Sequence, residues 1–243
     1  MKKILVVALA VAIALMGASA AMAAVAGSKH DLSTAGAGAA NFVAAAQMNN
    51  EVCVFCHTPH GASASAALWN RTLDSAGYTM YGATLGYDSS ANTYAPTAQA
   101  GGPRTKTLLC MSCHDGVSGI GGAVINTPGP GSTPTPNTTG EVITGTYTNI
   151  GKDLSNDHPV SIPYVTAGGK AGLRALTNVA NYPDDVARVQ NATTVAANTG
   201  ATSYVECVSC HDPHNSAAST YTVAFLRINN NGSNLCYSCH SGR

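Results

Sequence analysis

Four copies of one five-residue frame constrain this chain more than any other feature. They are Cys53-Val-Phe-Cys56-His57, Cys110-Met-Ser-Cys113-His114, Cys207-Val-Ser-Cys210-His211 and Cys236-Tyr-Ser-Cys239-His240, and together they use all eight cysteines. Two thiols three positions apart reach the two vinyl groups of one porphyrin, and the histidine next in line points at the iron from the same side. C-x-x-C-H is accordingly the attachment signature of c-type haem. Four disulfides would suit an exported chain, but they do not require a histidine after every second cysteine. Structural zinc uses paired knuckles with no obligatory histidine at the next position. A redox-active C-x-x-C is usually single and set in a βαβ context. The frames therefore predict four haem c groups (iron) held by thioethers at Cys53, Cys56, Cys110, Cys113, Cys207, Cys210, Cys236 and Cys239, with His57, His114, His211 and His240 as proximal ligands.

The composition calls for such a group. Leu, Ile, Val and Phe number 44, and 8 of them precede Ala24. The remaining 36 of 220 residues are about 16%, under the roughly 20% at which chains tend toward disorder. Aliphatic side chains alone cannot fill an interior here, whereas four macrocycles can. The expected fold is thus mostly irregular chain with short helices and little strand, wrapped around four covalently bound haems. Without haem the chain is expected to be unfolded, by the linkage that unfolds small metal domains without metal. Twelve Lys and Arg balance twelve Asp and Glu. With no basic cluster to neutralise phosphates, nucleic-acid binding is not expected.

The other four histidines, His30, His60, His158 and His214, equal the motif histidines in number. They are candidates for the distal axial ligands, one per iron. Methionine is the rival axial ligand. Beyond the first 23 residues only Met48, Met80 and Met111 remain; Met111 sits inside a C-x-x-C loop, and the other two read as packing residues.

The same motifs occur in order twice. A lone histidine (His30, His158) is followed by C-x-x-C-H-x-P-H (Cys53 to His60, Cys207 to His214) and then by L-C-x-S-C-H-x-G (Leu109 to Gly116, Leu235 to Gly242). This predicts a dihaem module used twice, over 24–130 and 151–243, joined by a Pro/Gly/Thr-rich connector over 131–150. In each C-H-x-P-H element two histidines stand three residues apart around a proline. So short a segment cannot reach both faces of one porphyrin. His60 and His214 must therefore serve haems other than those of His57 and His211, which brings haems close together.

Lys2 and Lys3, thirteen apolar residues from Ile4 to Met16 and Ala21-Met22-Ala23 read as a signal peptide over 1–23. Thirteen residues are too few for a membrane span, which needs about 20, so no transmembrane anchor is expected. Short helices are expected around Cys110–Asp115, Asp184–Asn191 and Gly172–Ala180; strand signals are weak. Asn70-Arg-Thr and Asn191-Ala-Thr are among the glycosylation-type frames. The His-Asp pairs at 114–115 and 211–212 are candidates for carboxylate-oriented imidazoles. Tyr78, Tyr81, Tyr87, Tyr94 and Trp69 read as packing against the haems.

The C-H-T-P-H and C-H-D-P-H elements, the segment Asn156-Asp157-His158-Pro159-Val160-Ser161 and the L-C-x-S-C-H pairs resemble doubled-CxxCH multihaem cytochromes. The stretch Gly27-Ser28-Lys29-His30-Asp31-Leu32-Ser33, with Cys53 to His60 and Leu68-Trp69-Asn70, resembles the tetrahaem outer-surface cytochromes that polymerise into extracellular filaments, the outer-membrane cytochrome E type. That resemblance implies bis-histidine haems in a continuous chain through a homopolymer. It also implies that one spare histidine ligates a haem of the neighbouring subunit, with His60 as first choice and His30 as second.

The expected function is electron transfer without chemistry on a substrate, so the chain is not read as an enzyme. It would be exported through the periplasm to the cell surface or beyond. A monomeric periplasmic tetrahaem shuttle is the alternative. A multihaem reductase is a third reading, which would need a haem with an open axial position, often marked by Lys in place of the motif histidine; all four frames here end in His. The redox donor and acceptor are not specified by the sequence.

Overall fold

The computed structural model describes residues 25–33, 51–63, 68–81, 102–120, 124–126, 142–164, 172–179, 186–191, 193–197, 202–214 and 225–241. The signal segment, most of the connector, Met48, Tyr87 and Tyr94 lie outside them. No helix among the described residues is long and apolar enough to cross a membrane.

Among the described residues there are three short helices, and each carries cysteines of a motif. Helix α1 spans Thr105–His114, α2 spans Cys207–Cys210, and α3 spans Asn234–Cys239 after a single 3₁₀ turn at Asn231–Ser233. Helix α1 begins five residues before the expected start. Its first-turn Thr107 amide is met by Glu206, far away in sequence, and no local side-chain cap marks the boundary. It ends at His114, two residues before Gly116, whose positive φ of 71° suits a residue without Cβ. A side chain there would also collide with Asn149.

The strands correct two of the expected helices. Strands β1 (Ile162–Pro163) and β5 (Tyr204–Val205) form one antiparallel pair. Strands β2 (Leu176–Asn178), β3 (Arg188–Asn191) and β4 (Thr194–Ala197) form a second sheet in the order β2-β4-β3. The stretches 172–180 and 184–191 therefore hold strand where helix was expected. The physical reason lies in β3 and β4. Val189, Val195, Ala196 and Ala197 are all within 2% of full burial, and β-branched residues pack well on a pleated surface. Between them Asn191 Oδ1 accepts from the Thr193 N–H at 2.9 Å and from its hydroxyl at 3.0 Å, turning the chain back.

Among the described residues two small cores result. Leu32, Phe55 and Ile120 form the first, with Val54, Cys56, Val124 and Ile143 against them. Tyr164, Ala187 and Val195 form the second, with Leu176, Val205 and Cys239 against them. Each core thus has a motif cysteine packed on it.

The duplication read from the motifs recurs in the backbone. His57 bridges Trp69 and His211 bridges Leu226, both antiparallel. Thr58 N–H donates to Leu68 O, and Asp212 N–H donates to Phe225 O, each at 2.8 Å. Asn70 N–H donates to Cys56 O, and Arg227 N–H donates to Cys210 O, again at 2.8 Å. Leu68 and Phe225 hold the same left-handed turn, with φ of 56° and 53°. The side chains keep the correspondence: Asn70 Nδ2 donates to Val54 O and Arg227 Nε to Val208 O.

Candidate haem-binding site

Three imidazole pairs organise the candidate site. His30 faces His114 with ring centres 6.2 Å apart, His57 faces His214 at 5.9 Å, and His158 faces His240 at 6.4 Å. Two imidazoles on opposite faces of one iron each contribute a bond of about 2 Å and roughly 1 Å more to the ring centre, so their centres stand about 6 Å apart. The three separations have the width of a single iron. Each pair joins one motif histidine to one spare histidine.

The pairs repeat in kind. His30–His114 and His158–His240 have interplanar angles of 70° and 71°, and both join a lone histidine to the second motif of its own half. His57–His214 crosses between the halves at 26°. His60 is exposed and belongs to none of these pairs among the described residues.

Local contacts set which ring nitrogen is presented. His114 Nδ1 lies 2.7 Å from Thr148 O and His158 Nδ1 lies 3.1 Å from Pro159 O. A carbonyl accepts only from N–H, so these contacts place the proton on Nδ1 and leave Nε2 as the nitrogen that could meet a metal. The His-Asp pairs do not do this work. Asp115 accepts from Val117 N–H, Ser118 N–H and the Ser118 hydroxyl. Asp212 accepts from His214 N–H and pairs with Arg227 at 3.3 Å. In both cases the short carboxylate is committed to the turn that follows its own residue. Burial, then the neighbouring imidazoles of His114, His214 and His211, pull His30 down to about 4. At neutral pH its ring carries no charge, which is the form that binds a metal.

None of the eight cysteines is paired in a disulfide. Burial pushes Cys56 and Cys210 up to about 12 and Cys239 up to about 11. No group of three or more His, Cys, Asp or Glu among the described residues is arranged to hold a bare metal ion. The thiols are instead neighbours across motifs: Cys56 feels Cys113, Cys110 is hydrogen-bonded to Cys207, and Cys210 feels Cys239.

Two further observations fit a haem at the first motif. Trp69 meets His57 edge-on at 5.5 Å and 89°. Its Nε1 and the Ser63 hydroxyl are buried without a protein hydrogen-bond partner. Buried donors of this kind call for an acceptor, which the carboxylates at a haem edge supply. Tyr78, by contrast, lies under the Lys152 ammonium at 5.1 Å. The frame at Asn70 is no glycosylation site, since that side chain is fully enclosed and donates to Val54 O and Asn126 O, both at 2.7 Å.

Sequence reading missed two residues beside the motifs, Arg71 and Glu206. Both are charged and both are buried, to 0% and 2% exposure. Neither lies in a recognisable motif. The one available signal for Glu206 was its place directly before Cys207 with Ser three positions on, a capping pattern.

Residues 200–243 match the family described as the doubled CXXCH motif. No curated protein matches the chain. The match covers the third and fourth frames, and it supports a multihaem c-type cytochrome with covalently bound haem c, acting in electron transfer.

Proposed function

We propose that this chain is an exported tetrahaem cytochrome that polymerises into an extracellular filament and carries electrons along a continuous line of haems. The observation that carries the proposal is the crossing pair His57–His214, 5.9 Å apart. In it the spare histidine of the second half's C-H-D-P-H element serves the first haem of the other half. Repeating that relation gives His60, the corresponding residue of the first half, the corresponding motif histidine of the second half, His211, as its target. With His60 exposed in this chain, the target is His211 of the next copy. The contact between halves and the contact between copies are then the same contact. A heterologous contact of this kind, where the rotation does not close into a ring, generates a helical filament.

Bound haem supplies a one-electron ferric–ferrous couple, and the protein sets its spacing and axial ligands. The cysteines tether, and their adjacency (Cys56 by Cys113, Cys110 by Cys207, Cys210 by Cys239) supports a line of four tethers in sequence order. Paired imidazoles would occupy both faces of an iron and leave no position for a substrate, which is why a reductase is not favoured. The signal segment provides export, and the balanced charge leaves assembly to ligation and packing rather than to long-range attraction.

The test is electron microscopy of the secreted protein beside its His60→Ala variant. Filaments from the wild type are expected, and from the variant dispersed subunits with one haem of altered spin state. Small monodisperse wild-type particles at high concentration would overturn the filament and leave a tetrahaem shuttle. A closed dimer would show that the contact is reciprocal rather than propagating.

A further inference from the structure

Glu206 stands where two helices begin. Its Oε2 accepts from the N–H of Thr107 at 3.2 Å and from the Thr107 hydroxyl at 2.5 Å, in the first turn of α1. The same side chain accepts from the N–H of Ser209 in α2, and Ser209 Oγ accepts in return from Glu206 N–H at 2.9 Å. Ser161 Oγ donates at 3.2 Å, and Arg104 Nε approaches Oε1 at 3.2 Å. Arg104, the residue before α1, provides no side-chain cap of its own. Glu206 therefore begins α2, where the Ser209 N–H also donates to its backbone carbonyl at 2.8 Å, while its carboxylate meets the Thr107 amide in the first turn of α1.

Each helix so joined carries the cysteines of a different half: Cys110 and Cys113 lie in α1, Cys207 and Cys210 in α2. The thiols of Cys110 and Cys207 are hydrogen-bonded to each other, and Thr107 Oγ1 lies 3.8 Å from Cys207 Sγ. The tethers of the two halves meet here. Replacing a buried ion pair by apolar side chains of similar volume is often neutral or stabilising, so a carboxylate in this place contributes arrangement more than net stability.

We infer that Glu206 is the positioning residue for electron passage between the two halves: it ties the starts of α1 and α2 together and so fixes the separation between the haem tethered at Cys110–Cys113 and the haem tethered at Cys207–Cys210. The inference rests on the haem reading above. The step itself moves one electron from one haem to the next, oxidising the first and reducing the second, with no bond made or broken. Glu206 touches neither iron and acts through the helices it caps.

The experiment uses the haem-loaded protein with Glu206→Ala, Glu206→Gln and, separately, the double variant Thr107→Val/Ser161→Ala. Haem and iron content are measured first. A wild type without four haems would defeat the haem reading, which is a different failure from that of the present inference. Iron–iron separations are then read from a density map and potentials from a stepwise redox titration. In Glu206→Ala the separation across the junction increases while the separations within each half stay as in the wild type. Glu206→Gln keeps the Thr107 arm and the spacing but loses a buried negative charge. Its two junction haems therefore shift toward the ferrous form by about tenfold at fixed potential, or about 59 mV for one electron. Should Glu206→Ala fail to load, the double variant carries the spacing test. An unchanged junction in a loaded Glu206→Ala or in the double variant overturns the inference. So does a widening spread evenly over all haem pairs, which is what general loosening of the fold would give.

Discussion

Replacing Arg71 tests how this thinly packed chain holds its first half together. The residue is fully enclosed. Its Nε donates to Ser112 Oγ at 3.2 Å, Nη1 to Ile120 O at 2.5 Å, and Nη2 to Ser112 O at 2.8 Å and Gly119 O at 3.0 Å. None of these four acceptors is a carboxylate. The cation instead meets the carbonyl-rich end of α1, where the helix dipole is negative. Arg71→Met keeps much of the volume and strips donors from three backbone carbonyls, at about 1–3 kcal/mol for each buried group left unpaired. Removing a buried charge offsets part of this, leaving a net loss on the order of 3–5 kcal/mol. At about 2–4 °C per kcal/mol for a chain of this length, the midpoint should fall by roughly 10 °C. The assay is thermal unfolding of the haem-loaded protein by far-ultraviolet circular dichroism, with loading verified by Soret absorbance. Arg71→Lys keeps the charge but not the planar fork, and should fall between the two. The cation also draws down the thiols of Cys56 and Cys113, so its loss should lower the potentials of the haems tethered there. A fully loaded Arg71→Met protein that melts within about 2 °C of wild type would refute the reasoning, because three orphaned carbonyls cannot be that cheap.

Two other outcomes follow from the same geometry. His214→Met should raise the potential of the haem tethered at Cys53–Cys56, since methionine ligation raises haem potentials. The haem at Cys207–Cys210, three residues away in sequence, should keep its own; a redox titration showing the reverse would break the crossing pair. Burial raises Glu206 from the usual carboxylate range against the pull of Thr107, Arg104 and Ser161. Acidification through that raised range protonates it, removes a negative charge that faces Arg104 and the Cys110 and Cys207 tethers, and should raise the junction potentials. Potentials recorded across that pH range should be flat in Glu206→Gln, and an identical slope in variant and wild type would exclude Glu206 as the titrating group.

The frames C-x-x-C-H state their chemistry locally, because two thiols and an imidazole within five residues reach one porphyrin whatever the rest of the chain does. The equal number of spare histidines, the order of motifs in each half and the shortage of aliphatic residues were legible for the same reason: they are matters of spacing and count. The strands at 176–178 and 188–197 were not, since Val189 and Val195 become strand residues only once there is a core to cover. Nor could the sequence show that His214 turns to His57, that Arg71 closes the end of α1, or that Glu206 begins two helices at once. Those partners stand 157, 41 and 99 residues apart, and each is chosen by which buried group remains to be satisfied after the chain has closed around it. Sequence alone determined what this protein binds; only the tertiary structure decided which imidazoles face one another and what holds the two halves in register, because those contacts exist only between distant segments that folding brings together.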